Sequence, residues 1–166
     1  MGNGINKVLP DLYLGNFKDA RDREQLARNN ITHILSIHDS AAPILKEMTY
    51  LCIPAADLPT QNLLAGVSRS VTLVVAYIMT VTRLGWSDAL AAVKAARPCA
   101  APNVGFQRQL QEFESTQADK QFREWLQMEY KDNPFNDEAQ IRDLLVKVPK
   151  ANSDAEETKK ESSSQP

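Results

Sequence analysis

Leu64-Ala65-Gly66-Val67-Ser68-Arg69-Ser70-Val71-Thr72-Leu73-Val74-Val75-Ala76-Tyr77-Ile78-Met79 is the stretch on which the fold turns. From Ser70 to Thr80 it is apolar on nearly every side, which at this length fits a buried helix better than a strand. Such a helix belongs in the middle of a domain. The residues just before it carry a second message. A glycine beside a helix N-terminus lets backbone N–H groups converge, the helix dipole favours an anion there, and the planar guanidinium of an arginine can grip two oxygens. That is a recipe for holding phosphate, although a Gly-x-Ser-Arg loop taken alone is more often an N-cap beside a solvated arginine.

Upstream, Val8-Leu9 and Leu12-Tyr13-Leu14-Gly15 read as two short strands around a Pro10-Asp11 turn. The stretch Asp19 to Asn29 reads as a weakly amphipathic helix that Asn29-Asn30 ends. Ile31 to Ile37 and Tyr50 to Ile53 are β-rich runs of strand length, and with a helical stretch over Ala41 to Met48 between them they predict a βαβ unit. Downstream, Ser87 is placed to cap a helix over Asp88 to Ala96, which Arg97-Pro98 stops. A further helix starts near Asn103 with Phe106, Leu110 and Phe113 on one face, and Phe122, Trp125, Leu126 and Tyr130 continue an apolar face beyond a polar interruption at Ser115 to Lys120. These aromatics, with Trp86, are expected in the core. From Lys150 onward the chain has too little apolar surface to offset its ordering entropy, so 149–166 is expected to be a disordered tail behind one domain of 1–148.

Composition narrows the function classes. With 166 residues and 43% hydrophobic side chains the chain suffices for one sizeable core. A net charge of -2 with interspersed signs gives no field for gathering a nucleic-acid backbone, so nucleic acid is discounted as a partner. Cys52 and Cys99 are too few for a disulfide framework and lie in no CxxC or Cys/His cluster, which points to a reducing compartment. His33 and His38 would face opposite sides of a strand with no third ligand, so no metal or other cofactor is expected. The longest apolar run, Thr72 to Val81, is far short of a membrane span, and the N-terminus lacks a signal pattern. Gly2 offers a myristoylation site, weakened by Asn6 where the motif wants Ser or Thr.

The stretch Leu64 to Met79 resembles the signature of the dual-specificity protein phosphatases, from just after their nucleophile to the end of the following helix. The likeness extends to Arg97-Pro98, Pro102-Asn103-Val104-Gly105-Phe106-Gln107-Arg108-Gln109-Leu110, Leu12-Tyr13-Leu14-Gly15-Asn16 and Ile53-Pro54-Ala55-Ala56-Asp57. It covers residues 1–148 and is nearest to the small atypical, myristoylated members linked to JNK signalling. The resemblance implies an α/β fold, a central mixed sheet flanked by helices, and cysteine-based hydrolysis of phosphotyrosine and phosphoserine or phosphothreonine without a metal. It assigns the phosphate cradle to Leu64, Ala65, Gly66, Val67, Ser68 and Arg69. Ser70 would assist thiolate departure, and Asp57 would be the general acid.

One feature of that family is missing. Its motif has His-Cys where this chain has Asn62-Leu63, and leucine has no lone pair to offer phosphorus. A strand should run into the phosphate loop after a helix has brought the chain back. Between Asp57 and Gly66 stand only Leu-Pro-Thr-Gln-Asn-Leu-Leu-Ala, too short for a parallel crossover. The jump is the pattern a skipped exon would leave. The expectation is therefore a phosphatase domain internally shortened between about 62 and 64, lacking one helix and the central strand, and without catalysis. The alternatives are a non-catalytic binder of phosphorylated signalling proteins and a poorly folded variant product. The implied setting is a cytoplasmic monomer, with weak attachment to the inner face of the plasma membrane if Gly2 is acylated.

Overall fold

The computed structural model describes residues 4–55, 68–131 and 136–148. Gly2, Asp57, Asn62, Leu63, Leu64, Ala65, Gly66, Val67 and the tail from Lys150 lie outside the described residues.

The chain opens with an antiparallel ribbon of β1 (Asn6–Leu9) and β2 (Leu12–Leu14), in which Asn6 faces Leu14 and Lys7 faces Tyr13. Pro10-Asp11 makes the turn as expected, with Asp11 in the left-handed region at φ 62. The helix expected over 19–29 is instead a 3-10 turn (Asp19–Arg21) followed by α1 (Arg23–Arg28), because Asp22 interrupts the run and caps α1 by accepting from the Gln25 N–H at 3.0 Å. Two parallel strands follow, β3 (His33–Ile37) and β4 (Thr49–Ile53), in register from His33 beside Thr49 to Ile37 beside Ile53.

No helix forms between them. Residues 41–45 have no regular structure and a turn precedes β4. Pro43 sits mid-segment, where it has no N–H to give and bars the residue before it from helical geometry. The Leu45 N–H is instead satisfied by the Tyr50 hydroxyl at 3.2 Å.

From Arg69 onward every described element is a helix. α2 (Arg69–Thr82) runs through the middle, with Val71, Val74, Val75, Ile78 and Met79 buried at helical spacing. α3 (Trp86–Ala96) packs on it through Ala89, Leu90, Ala92 and Val93, whose small alanines allow close approach. The helix begins one residue before Ser87, so Ser87 is not its cap. Gly85 occupies that place, and Glu114 of α4 (Val104–Ser115) supplies the missing acceptor by taking the Trp86 N–H at 3.1 Å. A Cβ on Gly85 would meet that carboxylate at 2.9 Å. α5 (Ala118–Glu129) and α6 (Asp137–Val146) complete the chain. α6 was not expected from the sequence, and its Ile141 is fully buried in the core.

Two buried or half-buried arginines tie the layers together. Arg97, only 1% exposed, donates from Nη1 to the carbonyls of Gly4 (3.0 Å) and Leu14 (3.3 Å) and to Asn6 Oδ1 (2.6 Å), strapping the ribbon to the end of α3. Arg123 of α5 donates to the carbonyls of Thr80 (2.6 Å) and Met79 (2.9 Å), satisfying the last turn of α2 and complementing its dipole.

Among the described residues the core joins β1, β2 and helices α2, α3, α4 and α6, with no residue of β3 or β4 in it. Among the described residues the strands form two separate two-stranded sheets. The aromatics of α5 also depart from expectation: Phe122 is 54% and Trp125 50% exposed, and Tyr130 stacks edge-on against Trp125 in solvent. Trp86 does pack against the core. The stripe on α5 has the spacing of a core face but is only partly covered: Phe122 packs against Phe113, ring centroids 6.0 Å apart, while Trp125 and Tyr130 stay exposed.

Candidate phosphate site at the start of α2

α2 begins where the apolar run begins, and its first residues are those expected to hold phosphate. Ser68 stands at the N-cap with φ -121 and ψ -72, too far from extended geometry for its hydroxyl to fold back on its own helix. Its carbonyl instead accepts from the Thr72 N–H (2.9 Å) and the Thr72 hydroxyl (2.7 Å), starting the helix from the backbone. The Ser68 hydroxyl accepts from the N–H of Asn103 at 3.2 Å and from its side-chain Nδ2 at 3.3 Å. Asn103 also caps α4, its Oδ1 taking the Phe106 N–H at 2.9 Å. One amide thus fixes the starts of two helices against each other. Sequence reading found Asn103 as a helix start and missed this second task, which joins residues 35 apart in the chain.

Arg69 is the first residue of α2, and its Nη1 donates to the Ala55 carbonyl at 3.0 Å. This brings the chain leaving β4, the segment that leads to Asp57, against the helix start. Ser70 is partly buried one residue on and lines a cavity with Leu73 and Val74. Ser68, Arg69, Ser70 and Ala55 are therefore gathered at one end of α2. Asp57 and the stretch 64–67 are outside the described residues.

The positive end of a 14-residue helix lies at Arg69, whose guanidinium also donates to the Ala55 carbonyl. Attack on phosphorus needs a thiolate or another lone pair there. Cys52 lies within β4 opposite Ser36, and Cys99 lies beyond the end of α3; both are free thiols, and neither is at the start of α2. Among the described residues no three His, Cys, Asp or Glu side chains group as metal ligands, and no single helix is long and apolar enough to cross a membrane.

Comparison with known proteins agrees with the arrangement. Residues 62–116 match the dual specificity phosphatase catalytic domain. Dual specificity protein phosphatase 22-B of Danio rerio is 70% identical over 173 residues, covering 89% of this chain and 94% of that protein. An alignment of 173 residues is longer than this chain of 166, so the relative carries positions with no counterpart here. The crystal structure of DUSP15 superposes with a TM-score of 0.69 at 47% identity, over 76% of this chain and 97% of that one. The crystal structure of a human tyrosine phosphatase-like serine/threonine/tyrosine-interacting protein gives 0.62 at 29% identity, over 70% and 99%. This chain belongs to the dual-specificity protein phosphatase family.

Proposed function

We propose that this chain is a non-hydrolytic member of that family, which binds phosphorylated segments of signalling proteins at the start of α2. The observation that carries the reading is the split fate of the motif: leucine stands at position 63, where the family's nucleophile belongs, while Arg69 heads α2 beside the Ala55 carbonyl. Removing a hydrolase nucleophile lowers turnover on the order of 10⁶-fold, about 8 kcal/mol of barrier. Binding asks for much less. It uses the helix dipole, backbone N–H groups and one arginine, none of which needs a lone pair. Asp57 and Ser70, whose family roles are to protonate the leaving oxygen and to assist thiolate departure, have no reaction to serve here.

The likeness to the human tyrosine phosphatase-like serine/threonine/tyrosine-interacting protein supports the same reading. The partners proposed, from the resemblance to the small atypical members of the family, are phosphoproteins of the JNK and MAP-kinase type.

The test is binding of a phosphotyrosyl and a phosphothreonyl peptide, each against its unphosphorylated twin, by fluorescence anisotropy. The expected result is saturable binding of the phosphorylated forms, lost in Arg69→Ala and unchanged in a surface control such as Arg142→Ala. Equal binding of phosphorylated and plain peptides would defeat the proposal.

A further inference from the structure

α2 starts without a capping side chain of its own, since Ser68 makes no side-chain hydrogen bond back to its helix. The first turn of a helix without a cap frays unless something else fixes it. Here the fixing groups come from distant parts of the chain. The main-chain N–H and the Nδ2 of Asn103 both donate to the Ser68 hydroxyl oxygen, at 3.2 and 3.3 Å. On the other side, Arg69 Nη1 donates to the Ala55 carbonyl at 3.0 Å. The head of α2 is held from the α4 side through Ser68 and from the β4 side through Arg69.

The α4 side of this clamp is stiff. Asn103 Oδ1 accepts from the Phe106 N–H at 2.9 Å and its carbonyl accepts from the Gln107 N–H at 2.9 Å. Gln107 Nε2 reaches back to the carbonyl of the buried Pro102 at 2.8 Å, and Leu110 and Phe113 anchor α4 on the core. Because the amide is planar and its oxygen is taken by the cap, the direction of Nδ2 is set by α4. Ser68 is therefore placed by Asn103, and not the reverse.

We infer that Asn103 is a positioning residue for the candidate phosphate site, acting through Ser68 on the adjoining Arg69. The inference rests on the reading of that site as a phosphate binder. Asn103 is given no contact with the ligand. It fixes the backbone of the residue before Arg69, and with it the direction in which the first turn of α2 presents its N–H groups.

The experiment compares three variants of the full chain. Asn103→Ser keeps an oxygen at the start of α4, in a residue type that caps helices, and lacks the Nδ2 donor. Ser68→Ala removes the shared acceptor. Gln107→Ala removes a bond from the same turn of α4 without touching Ser68, and serves as the control. Two quantities are read: hydrogen exchange without ligand at the Thr72 amide, whose partner is the Ser68 carbonyl at 2.9 Å, and affinity for a phosphotyrosyl peptide by anisotropy, well below the melting temperature. Asn103→Ser is expected to speed exchange at Thr72 and to weaken peptide binding about threefold to tenfold, the size of one hydrogen bond. Ser68→Ala should show the same loss, and the double variant no further loss, because both changes remove one interaction. Gln107→Ala should leave exchange at Thr72 and affinity as in the native chain. The inference is overturned by unchanged exchange at Thr72 in Asn103→Ser, by an affinity within about twofold of native, by fully additive losses in the double variant, or by an equal loss in Gln107→Ala. A native chain that binds no phosphopeptide defeats the proposed function separately, since exchange at Thr72 is read without ligand and still decides whether Asn103 holds the head of α2.

Discussion

Replacing Arg97 by methionine keeps the length and apolar stem of the side chain and removes the guanidinium. The consequence can be worked from three of its contacts: Nη1 donates to the Gly4 carbonyl, the Leu14 carbonyl and Asn6 Oδ1. Each acceptor left buried without a donor costs about 1–3 kcal/mol, and neighbouring losses do not add fully. A total of about 3–5 kcal/mol is expected. That is a large part of the 5–15 kcal/mol that holds a typical domain together, and for a chain of this size corresponds to a fall in melting temperature of about 10 °C. The ribbon should loosen first, because Arg97 is what ties both β1 and β2 to the end of α3. Urea titration and thermal melts followed by circular dichroism measure the loss. Arg97→Lys is expected to lose less, since the three acceptors converge on one nitrogen and an ammonium carries three donors. A loss below about 1 kcal/mol in Arg97→Met would refute the reasoning, because surface-like behaviour has that size.

Arg123→Met strips the Thr80 and Met79 carbonyls of their donors at the end of α2, and a destabilisation of about 2–3 kcal/mol is expected by urea titration. Tyr77 donates to Asp137 Oδ2 at 2.8 Å, and burial first, then the hydrogen bond and charge of Asp137, raise its pKa above the ordinary 10.0. The folded state therefore holds the phenolic proton more tightly than the unfolded state. That contribution is intact below about pH 10 and is lost as pH rises through the elevated pKa. The unfolding free energy of the native chain should decline in that alkaline range more steeply than that of Tyr77→Phe, and parallel curves would count against the assignment.

What the sequence disclosed was local. The run from Ser70 to Thr80 announced a buried helix because it is apolar all round, and Pro10-Asp11 announced a turn because those residue types adopt the required backbone. The helix expected over Ala41 to Met48 followed from good helix formers, and Pro43 overrode them. α6 could have been found: Asn136 accepts from the Ala139 N–H, and Asp137-Glu138 follow it, an N-cap with an acidic first turn.

Other features had no local signal at all. Glu114 replaces Ser87 at the start of α3 from 28 residues away, and Arg97 reaches the ribbon 83 to 93 residues back. The aromatic spacing of α5 identified an apolar face correctly, but spacing cannot say whether another element lies over it. Near the start of α2, the position of Arg69 and Ser70 at the head of the helix could be read from the sequence. The clamp of Asn103 on Ser68 could not, since capping its own helix already accounts for an asparagine at that position.

The most direct test of the account is phosphate release from a phosphotyrosyl peptide by the purified full chain, under single-turnover conditions at a peptide concentration that saturates binding, with intact-protein mass spectrometry in parallel. The expected result is occupancy without turnover: peptide bound, no phosphate released above the uncatalysed rate, and no phosphorylated protein. Phosphate release that tracks protein concentration, or a phosphocysteine at Cys52 or Cys99, would contradict it, because the chain would then possess a nucleophile that leucine at position 63 was taken to have removed.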